Sequence, residues 1–345
     1  MVGVNGAVTV AGRARTTSGA EGCGGIAARW RGEGWLRARN ELIICLAKTQ
    51  RIAGQKHDYA LLDRGAPTYA RGMVNDVPRR AETPRSYLMC PPEYFEVSYA
   101  INPWMRPDVP VDPGLAMRQW SELRATYESL GHSVSVIEPV AGLPDMVFAA
   151  NGATVIDGIA LGVRFKHPER AAEAGAYLSW LRSHGYTVHE ALRVNEGEGD
   201  ILVAGDTVLA GYGFRSDMGA AWELSSVFKR RVMSLRLIDP RYYHLDTALC
   251  VLDDSTAMYY PPAFDDAGRV FLATVFDELI EAKDEDAEVL GLNAVSDGRH
   301  VVLAAQATSL ARSLAARGFT PVPVDMSELL KAGGGAKCCT LELRH

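Results

Sequence analysis

Four short stretches hold the side chains best suited to chemistry. Gly333-Gly334-Gly335-Ala336-Lys337-Cys338-Cys339 presents thiols on a glycine-permitted, irregular backbone just ahead of an apolar strand. Val194-Asn195-Glu196-Gly197-Glu198-Gly199-Asp200 packs three carboxylates and two glycines into seven residues. In Tyr242-Tyr243-His244-Leu245-Asp246 the alternation of extended backbone puts His244 and Asp246 on one face, a geometry suited to a histidine tuned by a carboxylate. Asp145 and Asn151 bracket the apolar run Met146 to Ala150. A thiol, a histidine and several acids together point to covalent catalysis at an electron-poor carbon of a cationic ligand. The carboxylates would hold a planar guanidinium through paired hydrogen bonds while the thiolate attacks its carbon.

Each stretch alone has a plainer reading: a loose C-terminus, a solvated acidic turn, a structural histidine, turn-forming Asn and Asp. The elements that must position them argue against that reading. From Ser86 onward the chain repeats a short apolar strand, a turn, a second strand, an amphipathic helix and a closing strand. One unit is expected to run Gly152–Ile156, turn at Asp157-Gly158, Ile159–Val163, a helix from Pro168 to His184, then Tyr186–Val188. The next runs Ile201–Ala204, Thr207–Leu209, a helix from Met218 to Val232 and Leu235–Leu237. Later units open at Ala248 and Val301, and an earlier one spans Tyr87 to Glu138. Asn151, Asp200, Asp246, Asn293 and Cys338 stand 49, 46, 47 and 45 residues apart, each at the opening of a unit. A period in this range implies units stacked in an array or set around an axis. In the second case equivalent positions converge, and Cys338, which is no turn former, would meet the others in one pocket.

Composition limits the partners. The 345 residues are 48% hydrophobic, enough for a large core, and no apolar run approaches the roughly 18 residues of a membrane span. The net charge of −6 disfavours nucleic acid and is compatible with a cationic small molecule. Six cysteines without paired spacing read as reduced thiols, with a cytoplasmic location as the default. Cys90 and Cys250 lie in apolar runs and read as core residues. Zinc is disfavoured, since adjacent cysteines ligate one ion poorly and no CxxC occurs; no metal is expected.

Residues 1–85 read as a disordered leader before a catalytic domain over 86–345. The first 86 residues hold 14 Lys and Arg against seven Asp and Glu, leaving 22 against 35 in the remainder. Met73 offers an alternative start of synthesis.

The ordered set Glu196-Gly197-Glu198-Gly199-Asp200, His244-Leu245-Asp246 and Gly333 to Cys338 resembles the motifs of the guanidine-modifying (amidinotransferase) superfamily. That superfamily includes dimethylarginine dimethylaminohydrolase, arginine deiminase, arginine dihydrolase and the amidinotransferases. The likeness covers about Ser86 to Leu343. It implies an α/β propeller of five ββαβ modules with pseudo-fivefold symmetry, in accord with the period. It further implies Cys338 as nucleophile, His244 as general acid and base, and Glu196 as a guanidinium ligand. The loop reads EGEGD where some relatives have EGGD, so Glu198 is a rival for that place. Asp246 resembles a second guanidinium-binding acid, Arg170 and Arg215 match arginines that hold a substrate α-carboxylate, and Asp145 matches a polar substrate-binding position. Asn151 stands where an aspartate is usual among dimethylargininases and deiminases. With Asn102, in Tyr99-Ala100-Ile101-Asn102-Pro103-Trp104-Met105, it resembles the arginine dihydrolase branch instead.

The implied activity is hydrolysis of carbon–nitrogen bonds in linear amidines, without a cofactor. Cleavage of arginine or an N-methylated arginine through a Cys-thiouronium would give citrulline. The alternatives are dihydrolysis to ornithine and ammonia, amidino transfer, and arginine binding without catalysis. The expected partner is the small-molecule substrate, with neither nucleic acid nor membrane; a homo-oligomer is compatible with the sequence.

Overall fold

The computed structural model describes residues 79–345. Its strands form five separate three-stranded sheets, each with one antiparallel and one parallel pairing. The first sheet contains β1 (Ser86–Met89) and, after helix α1 (Pro113–Ser129), the parallel β2 (Ser133–Val136). The second contains β3 (Thr154–Ile156), β4 (Ile159–Leu161), helix α2 (Glu173–Ser183) and β5 (Thr187–His189). The third has β6 (Ile201–Ala204), β7 (Thr207–Tyr212), helix α3 (Ala220–Phe228) and β8 (Arg231–Arg236). The fourth has β9 (Leu249–Val251), β10 (Thr256–Tyr259), helix α4 (Asp266–Val275) and β11 (Glu278–Glu281), followed by the short helix α5 (Asp284–Ala287). The fifth has β12 (Val295–Ser296), β13 (His300–Ala304), helix α6 (Thr308–Ala315) and β14 (Thr320–Val324), with α7 (Ser327–Leu330) after it. The missing antiparallel strand of the first sheet is β15 (Leu341–Glu342), which pairs Leu341 with Leu88. One ββαβ unit is therefore divided between the two ends of the described chain, and the cysteine pair lies directly before the strand that completes it.

Local chemistry explains most boundaries. Asp157 and Gly158 both adopt positive φ, 53° and 73°, the two-residue turn that matches the twist of a hairpin. Helix α1 starts where the Asp112 carboxylate accepts the Leu115 N–H at 3.0 Å with Pro113 in the first turn. It buries Ala116, Trp120, Leu123 and Tyr127, spaced three or four apart. The helix expected from Met218 to Val232 is shorter, because Lys229 turns left-handed (φ 55°) and ends it. The alternating Val232-Met233-Ser234-Leu235 that follows becomes strand, longer than the expected Leu235–Leu237.

The leader expected over 1–85 lies outside the described residues as far as residue 78. From Arg80 the chain is held. Arg80 lies 4.0 Å over the Phe319 ring and pairs with Asp253 at 2.5 Å, Thr83 N–H donates to Asp297 O at 2.8 Å, and Arg85 pairs with Glu342 at 3.0 Å. Among the described residues no helix is long and apolar enough to cross a membrane.

The openings of the units are tied to one another by hydrogen bonds. Asn151 Nδ2 donates to Glu196 O at 3.2 Å, and Leu245 N–H to Asp200 Oδ1 at 3.1 Å. Asn293 Nδ2 donates to Asp246 O at 3.2 Å, and Cys338 N–H to Asn293 Oδ1 at 3.0 Å. Ala150 N–H then donates to Cys338 O at 3.0 Å, which returns to the unit where the series began.

Candidate active site

Glycine lets these loops approach so closely. A Cβ at Gly199 would collide with Asn151 Nδ2 and stand 3.1 Å from His244 Nδ1. At Gly334 it would enter the Phe148 ring. Gly333 has a φ of 84° and lies against Asn102 and Tyr243.

The polar cluster that results is buried throughout: Asp145, Asn151, Arg170, Glu196, Arg215, His244, Asp246, Asn293 and Cys338 are each at most 3% exposed. Cys338 Sγ lies 3.2 Å from Asp246 Oδ2 and 3.0 Å from Asn293 Nδ2. The thiol donates to the carboxylate while the sulfur accepts from the amide. Burial raises the Asp246 carboxyl to about 7, with the charge of Lys337 and the bonds from Cys338 and Asn293 opposing. Burial, and after it Asp246, also push the Cys338 thiol well up, so the two neighbouring groups titrate as a dyad rather than independently.

Glu196 holds the other half of the cluster. Its Oε2 lies 2.8 Å from His244 Nε2 and 2.8 Å from Arg215 Nη1, and its Oε1 accepts the Lys166 N–H at 3.3 Å. Burial works against its ionisation, but the His244 bond and the Arg215 charge outweigh it and hold the carboxyl well below the usual range. An ionised carboxylate only accepts, so Nε2 carries a hydrogen and Nδ1 is the ring nitrogen left to exchange a proton. That Nδ1 is buried without a partner beside Gly199. Tyr243 links this half to the glycine loop that carries Cys338: its ring lies under Arg215 at 4.6 Å and its hydroxyl donates to Gly333 O at 2.9 Å.

The two arginines differ. Arg170 has four of its five N–H groups engaged, two on Glu173 at 2.9 and 2.7 Å, one on Asn151 Oδ1 at 2.7 Å and one on Asp145 O at 3.1 Å. Arg215 engages two, on Glu196 and on Ile101 O at 3.0 Å. Asp145 accepts from Tyr99 at 2.8 Å through Oδ2, and its Oδ1 has no partner.

Not every expected residue reaches the cluster. Glu198 turns the opposite way, to Lys337 at 2.6 Å, Arg344 and the Glu342 N–H at 3.1 Å, and so ties the EGEGD loop to β15. Asn102 is committed to backbone: its Oδ1 accepts from Trp104 and Met105, and its Nδ2 donates to Ala332 O at 3.0 Å. Cys339 packs in the core with Tyr87, Trp120 and Tyr127. Four contributors were not visible as site residues in the sequence: Tyr99, Glu173, Tyr243 and the side chain of Asn293. Only Asn293 carried a signal, its place in the 47- and 45-residue spacing. Among the described residues no three His, Cys, Asp or Glu side chains are grouped to hold a metal ion.

Comparison with known proteins gives a consistent set of relatives. The family described as N,N dimethylarginine dimethylhydrolase, eukaryotic, matches residues 104–345. A Mycobacterium tuberculosis protein named N(G),N(G)-dimethylarginine dimethylaminohydrolase is 54% identical over 265 residues, which is 77% of this chain and 88% of that protein. The bifunctional arginine dihydrolase/ornithine cyclodeaminase ArgZ of Synechocystis sp. is 38% identical over 263 residues, 74% of this chain but 37% of that longer protein. The crystal structure of the N-terminal domain of ArgZ bound to substrate superposes with a TM-score of 0.73 at 35% identity, covering 76% of this chain and 98% of that one. Another structure of that domain is covalently bound to a reaction intermediate, with a TM-score of 0.72 and 36% identity over 75% of this chain and 97% of that one.

Proposed function

The chain belongs to the dimethylarginine dimethylaminohydrolase family, and from that we propose that it hydrolyses carbon–nitrogen bonds of the guanidino group of arginine or an N-methylated arginine through a covalent Cys338 adduct. The observation that carries this reading is a pair of buried, unpartnered carboxylate oxygens in the cluster, one of them on Asp246, the partner of the thiol. Asp246 Oδ1 and Asp145 Oδ1 are buried and lack donors, and a guanidinium is a planar array of N–H groups. We take the five sheets, with their linked openings, as the five modules of an α/β propeller with pseudo-fivefold symmetry, formed by residues 86–345.

In this mechanism the arriving cation draws the dyad proton onto Asp246 and leaves Cys338 as thiolate. The thiolate adds to the guanidinium carbon, forming a C–S bond. As the C–N bond breaks, His244, which enters the step as the imidazolium paired with Glu196, gives its Nδ1 proton to the departing amine, and a thiouronium remains on Cys338. His244 then takes a proton from water, whose oxygen adds to the carbon and displaces the sulfur. Glu196 fixes the histidine tautomer and supplies negative charge; Arg215, with three uncommitted N–H groups, is assigned the α-carboxylate. Arg170, Asn102 and Glu198 are assigned supporting roles, Arg170 as a strut for Asn151 and Asp145. The described cysteines, all free, support a cytoplasmic setting.

Dihydrolysis to ornithine is the second reading, supported by the neutral Asn151 against Arg170 and by the likeness to ArgZ. Incubation with arginine and with asymmetrically dimethylated arginine, scored for citrulline, ornithine, ammonia and dimethylamine, separates the two. Binding of both compounds with turnover of neither would overturn the catalytic reading.

A further inference from the structure

Asn293 makes every hydrogen bond that a carboxamide can make, and all four go to the nucleophile's surroundings. Oδ1 accepts the N–H of Gly335 at 2.9 Å and of Cys338 at 3.0 Å; Nδ2 donates to Asp246 O at 3.2 Å and to Cys338 Sγ at 3.0 Å. This pattern fixes the amide's orientation. Two backbone N–H groups can only donate, so they require the oxygen, and a backbone carbonyl on the other side requires the nitrogen. An N–H is therefore aimed at the sulfur and cannot be exchanged for a lone pair by a flip.

We propose that Asn293 is a further catalytic residue, which stabilises the Cys338 thiolate by donating to Sγ while clamping the glycine loop that carries it. The proposal rests on Cys338 being the nucleophile of the activity argued above. When Sγ–H transfers its proton to Asp246 Oδ2, the negative charge left on sulfur gains a charge-assisted hydrogen bond from Nδ2. The largest influences on the sulfur oppose that charge: burial, Asp246 and Cys339 push the thiol up, while the backbone N–H of the Gly335 loop lowers it. The groups facing it are Asp246 from the fourth unit's opening, Tyr243 from the loop before it, and Cys339 and Lys337 beside it in the chain.

The test measures the thiol without substrate. Iodoacetamide alkylation of Cys338 is followed by mass spectrometry from pH 6.5 to 9 in the wild type, in Asn293→Asp and in Asn293→Ala, with Cys338→Ser as background. Asn293→Asp keeps the shape and both accepted N–H bonds but turns the donor towards sulfur into an acceptor. Alkylation below the thiol pKa is expected to slow by about tenfold or more in both variants, more in Asn293→Asp. With substrate, kcat should fall while KM changes little. Rates within about twofold of wild type in the variant that retains a cooperative melt would overturn the proposal. So would wild-type alkylation no faster than the Cys338→Ser background. Slowed alkylation in the variants of a protein that turns over no arginine compound would support the role of Asn293 and refute the substrate reading instead.

Discussion

His244 Nε2 and Glu196 Oε2 lie 2.8 Å apart, and in the proposed mechanism this contact decides which ring nitrogen moves protons. Because Glu196 is held ionised by His244 and Arg215, it accepts and Nε2 donates, so the ring nitrogen left to exchange protons is Nδ1. Gly199 is the residue against which Nδ1 faces, and its missing Cβ leaves the approach open.

Glu196→Gln removes the charge that fixes this tautomer and leaves the Arg215 guanidinium uncompensated in a buried site. Turnover is expected to fall by about 10²-fold or more, and stability by about 3–5 kcal/mol. Glu198→Gln leaves Lys337 and Arg344 short of a partner, so it too should lower Tm, yet keep most of the turnover. Steady-state kinetics and thermal melts on the pair test the assignment of Glu196; equal loss of kcat in both would refute it.

Gly199→Ala isolates the same approach sterically. The added methyl collides with Asn151 Nδ2 and crowds His244 Nδ1, so kcat should drop by about tenfold or more, by analogy with other small displacements of reacting groups. Kinetics that match wild type would mean that Nδ1 is not the working nitrogen.

Cys338→Ser should abolish turnover, because serine lacks a comparably ionised nucleophile beside Asp246. Cys339→Ser should remain active, since that side chain packs in the core with Tyr87 and Tyr127. Acid-quenched intact-mass spectra should show an adduct on the wild type and none on Cys338→Ser. An adduct that persists in Cys338→Ser and vanishes in Cys339→Ser would reverse the assignment.

Much of this arrangement is legible in the sequence, for identifiable reasons. The repeat period, the Asp157-Gly158 hairpin and the spacing of Asn151, Asp200, Asp246, Asn293 and Cys338 are local or periodic signals, and they place the site loops. The choice between Glu196 and Glu198 is not local. It depends on Lys337 and Arg344, more than 130 residues away, reaching one carboxylate and leaving the other for His244. The commitment of Arg170 to Glu173 is equally invisible, because an arginine near a carboxylate in sequence reads the same whether it holds substrate or its neighbour. The β15 strand, two residues long, had no periodicity to announce that it completes the first sheet.

The raised carboxyl of Asp246 gives a signature in stability against pH. Its folded value of about 7 lies above the ordinary 3.9 or so of an unfolded aspartate, with burial as the main cause. Between those values the folded state holds a proton that the unfolded chain has released, so stability falls as pH rises through the window. Glu173, at about 7, and Asp200, at about 6, act with the same sign in wild type and variant alike. Asp246→Asn removes one such penalty while keeping the shape. The Tm of the variant relative to wild type should therefore climb from pH 5 to pH 8, each recovered kcal/mol being worth about 2–4 °C in a chain of this size. Turnover should be lost in the same variant, because the dyad partner of Cys338 is gone. Scanning calorimetry in matched buffers makes the comparison. A Tm difference that stays flat from pH 5 to pH 8 would show that Asp246 is already ionised at pH 5 in the folded protein, and would remove it as the group that receives the Cys338 proton.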